Sequence, residues 1–260
     1  VPAIQWDKIG DRRFEAGVDR GVLYLPDKAV AWSGLTGIEE SPSIDSKSFY
    51  QDGIKYLDVK VLSEYSATLR ALTYPDEFDQ VMGIAADGQG LFIHDQRVRP
   101  FSLCYRTRIG NDVAGIDFGY RLHILYDLMA VPNSAAFGTV ESNVDPVEFS
   151  WALSSTPQAL PGYRPTAHLS IKSTDIDAGY LEYVESILYG NELADAYLPT
   201  MAEMFDLIAN QVTIVDNGDG TWTASGSDRV IQDFGDTFII GGVSIAGPID
   251  GRYELTIPVH

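Results

Sequence analysis

Between Ile116 and Thr174 the apolar residues recur at every second position, and no other feature limits the fold as strongly. Ile116, Phe118, Tyr120, Leu122, Ile124, Tyr126 and Leu128 alternate with a set that includes Asp117, Arg121, His123 and Asp127. Val147, Phe149, Trp151 and Leu153 then alternate with Glu148, Ser150 and Ala152. Ala167, Leu169 and Ile171 alternate with His168, Ser170 and Lys172. Side chains of a strand point alternately to opposite faces, so a period of two makes half-buried strands with one wet face.

A longer run extends from Lys55 to Thr73, with Leu57, Val59, Val61, Tyr65, Leu69 and Ala71 on one face and Asp58, Lys60, Glu64, Ser66, Thr68 and Arg70 on the other. One strand of that length would span about 60 Å, far beyond the usual five or six residues. It therefore either breaks at a bend near Ser63–Ser66 or walls a large barrel. Val22–Leu25 and Ala29–Trp32 read as short strands across a Pro26-Asp27 turn, and Phe101–Ile109 as a strand with Arg106 and Arg108 on its polar face. Residues 39–53 read as a loop ending in Asp-Gly.

Two helical patterns follow the strands. Asp177 can cap a helix over 178–189, where Leu181, Val184 and Leu188 form the buried stripe and Gly190 the stop. Thr200 and Glu203 have capping-box spacing at the start of a second helix over 200–209, with Met204, Leu207 and Ile208 facing inward. The fold class expected is mainly β: a β-sandwich or partly open barrel with two flanking helices and a small C-terminal β unit. The divisions expected are an arm over 1–20, a main β domain over 21–210 and a β unit over 211–260. Trp6, Ile9 and Phe14 are the large anchors of the arm.

At 260 residues, with 45% hydrophobic and 21% charged residues, the chain can bury a full core. No apolar run reaches the roughly 20 residues needed to span a bilayer, and the N-terminal residues do not read as a secretory signal. The single cysteine, Cys104, excludes an internal disulfide and reads as a small packed side chain. Thirty-seven acidic against 18 basic residues give a net charge of −19. Such a chain is not built to grip phosphate backbones, which are held by Lys and Arg; solubility is the plain reading of the charge.

The chemistry-bearing patterns are weak. Asp216-Asn217-Gly218-Asp219-Gly220 fails the spacing of a calcium loop and fits a hairpin turn. Acid pairs such as Glu39-Glu40 and Asp76-Glu77 are expected by chance among so many carboxylates. His94, His123, His168 and His260 show no metal-ligand spacing. No nucleophile–base arrangement is evident, so no catalytic, cofactor or metal site is expected and the chain is not read as an enzyme.

Several long segments carry a family resemblance. GYRLHILYDLMAVPN, DPVEFSWALSSTP and GYRPTAHLSIKST resemble the central segments of major tail proteins, the tail-tube subunits, of long-tailed actinobacteriophages. WDKIGDRRFEAGVDRGVLYLPD, AWSGLTGIEES and LTYPDEF resemble the family's opening in the same order, and DNGDGTWTASG fits its C-terminal part. The resemblance implies a structural virion protein, assembled in the bacterial host cytoplasm into stacked, six-fold rings that conduct double-stranded DNA. The tape measure, terminator and baseplate proteins would be its partners, and no membrane is involved.

Within that implication the acidic charge suits a channel wall that DNA passes without sticking. Asp58, Glu64, Asp117 and Asp127 are the candidate lumen-facing acids. The loop over 41–53 and the arm supply candidate subunit contacts: Trp6, Phe14, Phe49 and Tyr50. A surface carbohydrate-binding β-sandwich module and a secreted β-fold hydrolase are the readings from other classes.

Overall fold

The computed structural model describes residues 3–41, 44–62, 65–133, 135, 137–139, 146–191, 194–209, 213–216, 222–225, 231–233, 237–240, 243–249 and 252–256. Side chains are described outside 44–46, 60–62 and the stretch from 209 onward. The fold is mainly β with two helices. Two compact units are present, Val1–Met201 and Ala202–His260.

The first unit is organised by an eight-stranded antiparallel sheet. Its strands are β1 (Arg13–Leu25), β2 (Lys28–Trp32) and β3 (Leu35–Glu40). A separate hairpin follows, β4 (Ile44–Gln51) and β5 (Ile54–Leu62), before β6 (Tyr65–Ala71) returns to the sheet. Two short strands, β7 (Ala85–Ala86) and β8 (Phe92–Ile93), pair with each other. The sheet resumes with β9 (Phe101–Asn111), β10 (Gly115–Pro132), β11 (Phe149–Ser155) and β12 (His168–Lys172). The strand order is β2-β1-β9-β10-β11-β6-β3, with β12 paired to β10 beside this path.

Residues opposite each other in an antiparallel pair share a face. Leu23, Leu103 and Leu125 therefore share one face, and Val22, Cys104 and Ile124 the other. The first face is concave and holds the core, in which Leu23, Leu69, Leu103, Leu125, Trp151 and Leu153 are buried together. Its last strand curls back across its second: a Cβ on Gly21 of β1 would collide with the side chain of Leu35 in β3. The sheet is thus a partly closed barrel.

A one-turn 3₁₀ segment at Asp76–Phe78 plugs this barrel. Phe78 is fully buried, 4.5 Å from the Trp32 ring, 5.2 Å from Trp151 and 5.3 Å from Phe101. The Trp32 indole N–H donates to the Thr73 carbonyl at 2.9 Å, so the ring's polar atom costs nothing in its buried position.

The opposite face is covered by α1 (Ala178–Tyr189), which buries Leu181, Val184 and Leu188. The Asp177 side chain accepts from the Tyr180 amide at 3.0 Å, as its capping role predicts. The Tyr24 hydroxyl donates to the Leu188 carbonyl at 2.6 Å and ties the end of α1 to β1. Cys104 is fully buried, and burial pushes its thiol up to about 12, so it stays protonated. The second helix, α2 (Met201–Ala209), begins at Met201 and buries Met204.

The second unit pairs β13 (Thr213–Asp216) with β14 (Trp222–Ser225), and joins β15 (Ile231–Asp233), β16 (Thr237–Ile240), β17 (Val243–Ile249) and β18 (Arg252–Thr256) in an antiparallel meander. The proposed turn at Asn217–Gly220 lies outside the described residues.

Three expectations need revision, and one choice between readings is settled. The 41–53 segment is not a loop where it is described from Ile44 onward: it forms β4 and the turn into β5. Asp52 and Gly53 both have positive φ, the requirement of a tight two-residue hairpin turn. Of the two readings of the Lys55–Thr73 run, the break near Ser63–Ser66 holds: β5 ends at Leu62 and pairs with β4, while β6 begins at Tyr65 and pairs with β3 and β11. The stretch over 1–20 is not wholly an arm, since β1 enters the sheet at Arg13 opposite Asn111. Finally, strict alternation in β10 ends at a bulge. Asp127 has φ 48° and the register with β9 shifts between Leu125 and Leu128, so both leucines enter the barrel while Tyr126 turns to the other face.

Candidate functional site

The predicted contact residues are exposed. Trp6 is 77% accessible, Phe14 47%, Phe49 45% and Tyr50 69%. Phe14 lies on β1, where its ring covers Gly110 of β9. Phe49 and Tyr50 belong to the β4–β5 hairpin, which also exposes Ile54, Tyr56, Leu57 and Val59. One small two-stranded element therefore presents six large apolar side chains to water.

Among the described residues, the predicted acids sit on two elements, the β4–β5 hairpin and β10. Asp58 sits on the hairpin, where it accepts from the Ser48 hydroxyl and meets the Lys55 ammonium, both at 2.9 Å. Asp117 and Asp127 occupy opposite ends of β10. Asp117 faces the Arg108 guanidinium at 3.4 Å, while Asp127 accepts from the Gln158 amide and its own N–H donates to the Ser102 hydroxyl at 3.2 Å. Glu64 lies outside the described residues.

Arg108 belongs to a network that the sequence did not link. Asp19 on β1 receives Nε and Nη2 of Arg106 at 2.6 and 2.8 Å and Nε of Arg108 at 3.1 Å. The Arg106 hydrogen bonds hold the Asp19 carboxyl below its ordinary range. β1 bulges on both sides of Asp19, which brings that carboxylate onto the arginine face.

The densest group of titratable side chains lies at one end of the barrel. His123 of β10 and His168 of β12 share the concave face, and their Nδ1 and Nε2 atoms are 3.0 Å apart. Glu40, the last residue of β3, places Oε2 3.5 Å from His168 Nδ1 and Oε1 4.0 Å from His123 Nδ1. The Tyr105 hydroxyl of β9 donates to Glu40 Oε1 at 2.7 Å, and its ring stacks on His123 with centroids 4.6 Å apart. Behind His123, Nε2 is 3.0 Å from the Thr107 hydroxyl, which donates to Glu15 Oε1. Arg121 stands 3.4 Å from the same Glu15 oxygen.

Burial governs the electrostatics of this group. It pushes His123 down to about 4, helped by the neighbouring His168, and it also lowers His168. The phenols of Tyr65 and Tyr105 are pushed up, first by burial and then by Glu40. Glu15 is held low against burial by the Thr107 hydroxyl, Arg121 and His123.

Sequence spacing did not connect the two histidines, which are 45 residues apart. The signal was their shared parity in two alternating runs, usable only once β12 is known to pair with β10. His94 is exposed and apart from the group; His260 is outside the described residues.

No protein-family model and no curated protein matches the chain. Among solved structures it is similar to a chain of the sheath–tube complex of an extracellular contractile injection system (PVC) in the extended state. That match has 15% identity and a TM-score of 0.32, covering 59% of this chain and 88% of that one. It is also similar to a chain of the tube-terminating cap of the anti-feeding prophage, at 10% identity and a TM-score of 0.34, covering 66% and 95%. A chain of that particle's baseplate is a further neighbour, at 10% identity and a TM-score of 0.31, covering 66% and 96%. Among the described residues no helix is long and apolar enough to cross a membrane.

Proposed function

We propose that the chain is a structural tail-tube subunit that joins copies of itself into stacked six-fold rings, forming a conduit for DNA leaving a virion. The observation that carries this reading is the β4–β5 hairpin. Phe49, Tyr50, Ile54, Tyr56, Leu57 and Val59 are all exposed on this one two-stranded element, which pairs only with itself and, among the described residues, contributes none to the core cluster. Large apolar side chains gathered on one element and left in water are a signature of contact surfaces, protein–protein contacts among them. The resemblance of several ordered sequence segments to actinobacteriophage tail-tube subunits supplies the kind of partner: further copies of this chain and other tail proteins.

Assembly also deals with the open strands. β2 and β3 end the main sheet, and edges of that kind invite pairing unless a neighbour covers them. Ring contacts that are heterologous close by rotation, while ring-on-ring contacts extend without limit and make a tube. The channel wall in this reading is formed by polar strand faces and is net acidic. Lys and Arg there would hold phosphates and slow the duplex. The net charge of −19 supports that sign, with Asp58, Glu64, Asp117 and Asp127 as candidates. The subunit's role is architectural rather than catalytic.

Sedimentation velocity of the wild type and a Phe49→Ser, Tyr50→Ser double variant tests the hairpin. The wild type should sediment as rings or larger species, and the variant should remain folded but stay at the 28.5 kDa of one chain. Equal assembly by both proteins would remove the hairpin from the interface.

A further inference from the structure

We propose that Glu40, His123 and His168 form a binding site for a divalent transition-metal ion of the zinc class, which fastens β3 to β10 and β12 across the barrel end. Each residue offers a ligand atom, and the three atoms lie within 4.8 Å of one another. Two imidazoles and a carboxylate are a donor set that zinc accepts, with a fourth position left to water or a further group.

Hydrogen-bond direction points to a cation at this place. The Thr107 hydroxyl has one hydrogen, which it gives to Glu15 Oε1. It can then only accept from His123, so His123 carries its proton on Nε2 and presents a bare lone pair on Nδ1. That lone pair faces His168 Nε2 at 3.0 Å. If His168 donates there, its Nδ1 is bare and faces a Glu40 oxygen at 3.5 Å, acceptor against acceptor. One proton cannot serve both contacts of His168, whereas a metal ion among the three groups takes lone pairs from all of them.

The distances suit that role. Zinc–nitrogen bonds of ~2.0 Å at a tetrahedral angle place ligand atoms about 3.3 Å apart. The two ring nitrogens must separate by a few tenths of an ångström, and Glu40 must approach by somewhat more. The supporting contacts are also in place. Thr107 and Glu15 fix the His123 tautomer, Tyr105 holds both the His123 ring and Glu40 Oε1, and such partners orient metal ligands and strengthen their binding. The group is reachable, since the Glu40, His123 and His168 side chains are 31%, 12% and 21% accessible. Arg121 is the cationic group that opposes an ion here: it stands 3.4 Å from the Glu15 carboxylate, which offsets its charge, and its field also reaches His168.

The site lies within one chain and is independent of assembly. Metal-stripped full-length protein would be titrated with Co(II) and Zn(II), following visible absorption and heat, with thermal unfolding measured in parallel. The wild type should bind one ion per chain, show the intense visible bands of four-coordinate Co(II), and unfold at a higher temperature with Zn(II). Glu40→Gln and His168→Asn should each weaken binding by at least ~100-fold. Thr107→Val, which removes only the outer partner, should weaken it by about 10-fold. His94→Ala should bind as the wild type does. The proposal is overturned if the wild type gives no such spectrum, or if affinity is unchanged in the Glu40 and His168 variants. A wild type stabilised by mild acid but not by either metal also overturns it, because a proton on His168 would then be the cation that the geometry calls for.

Discussion

Asp19 accepts two hydrogen bonds from one guanidinium, Arg106 Nε at 2.6 Å and Nη2 at 2.8 Å, although 87 residues separate the pair. The contact joins β1 to β9 at the bulge in β1, and Arg106 is only 11% accessible, so its charge depends on this partner. Asp19→Asn keeps the shape but removes the charge and should cost about 1–2 kcal/mol near neutral pH, as Asp19 itself remains partly wet. A carboxyl held low contributes stability that is complete above its unfolded value and is lost as pH falls through its folded one. The gap between wild type and variant in urea unfolding should therefore be constant above about pH 4 and shrink below it. A gap that widens on acidification would contradict the assignment.

Phe78 is the plug of the barrel, enclosed by Trp32, Phe101 and Trp151. Replacing it with Ala should destabilise the fold by about 3–5 kcal/mol, a large share of the roughly 5–15 kcal/mol typical of a domain. Denaturant midpoints would measure this directly. A loss under 1 kcal/mol would mean that the 3₁₀ segment is not part of the cooperative core.

The acidic channel wall is tested by charge reversal. Asp117→Lys with Asp127→Lys should leave subunits able to assemble, because both acids lie on β10 and not on the β4–β5 hairpin, while slowing DNA release from particles that carry them. Release at the unchanged rate would remove these residues from the wall. The Asp117 change alone should have the smaller effect, since Arg108 already stands 3.4 Å from it.

Periodicity made the β character, the strand positions in the second half of the first unit and the covering helix legible. It could not show where alternation fails. The bulge at Asp127 depends on one non-glycine residue adopting positive φ, and the sequence there reads as an unbroken run. The hairpin was obscured for another reason. IDSKSFYQ lacks the apolar alternation of a packed strand, its described side chains from Lys47 to Gln51 are no part of the core cluster, and only the Asp52-Gly53 turn marked it. The histidine pair was hidden by topology: β12 pairs with β10 although β11 lies between them in sequence. The Asp19 network depended on the bulges of β1, which no residue pattern announces.

Electron microscopy of the purified chain across a range of concentrations tests the assembly reading most directly. A tail-tube subunit should give rings with a central opening, and stacks of them as concentration rises. The hairpin double variant should give far fewer of either. A field of single particles of one chain at every concentration, with no rings in either protein, would contradict the central claim.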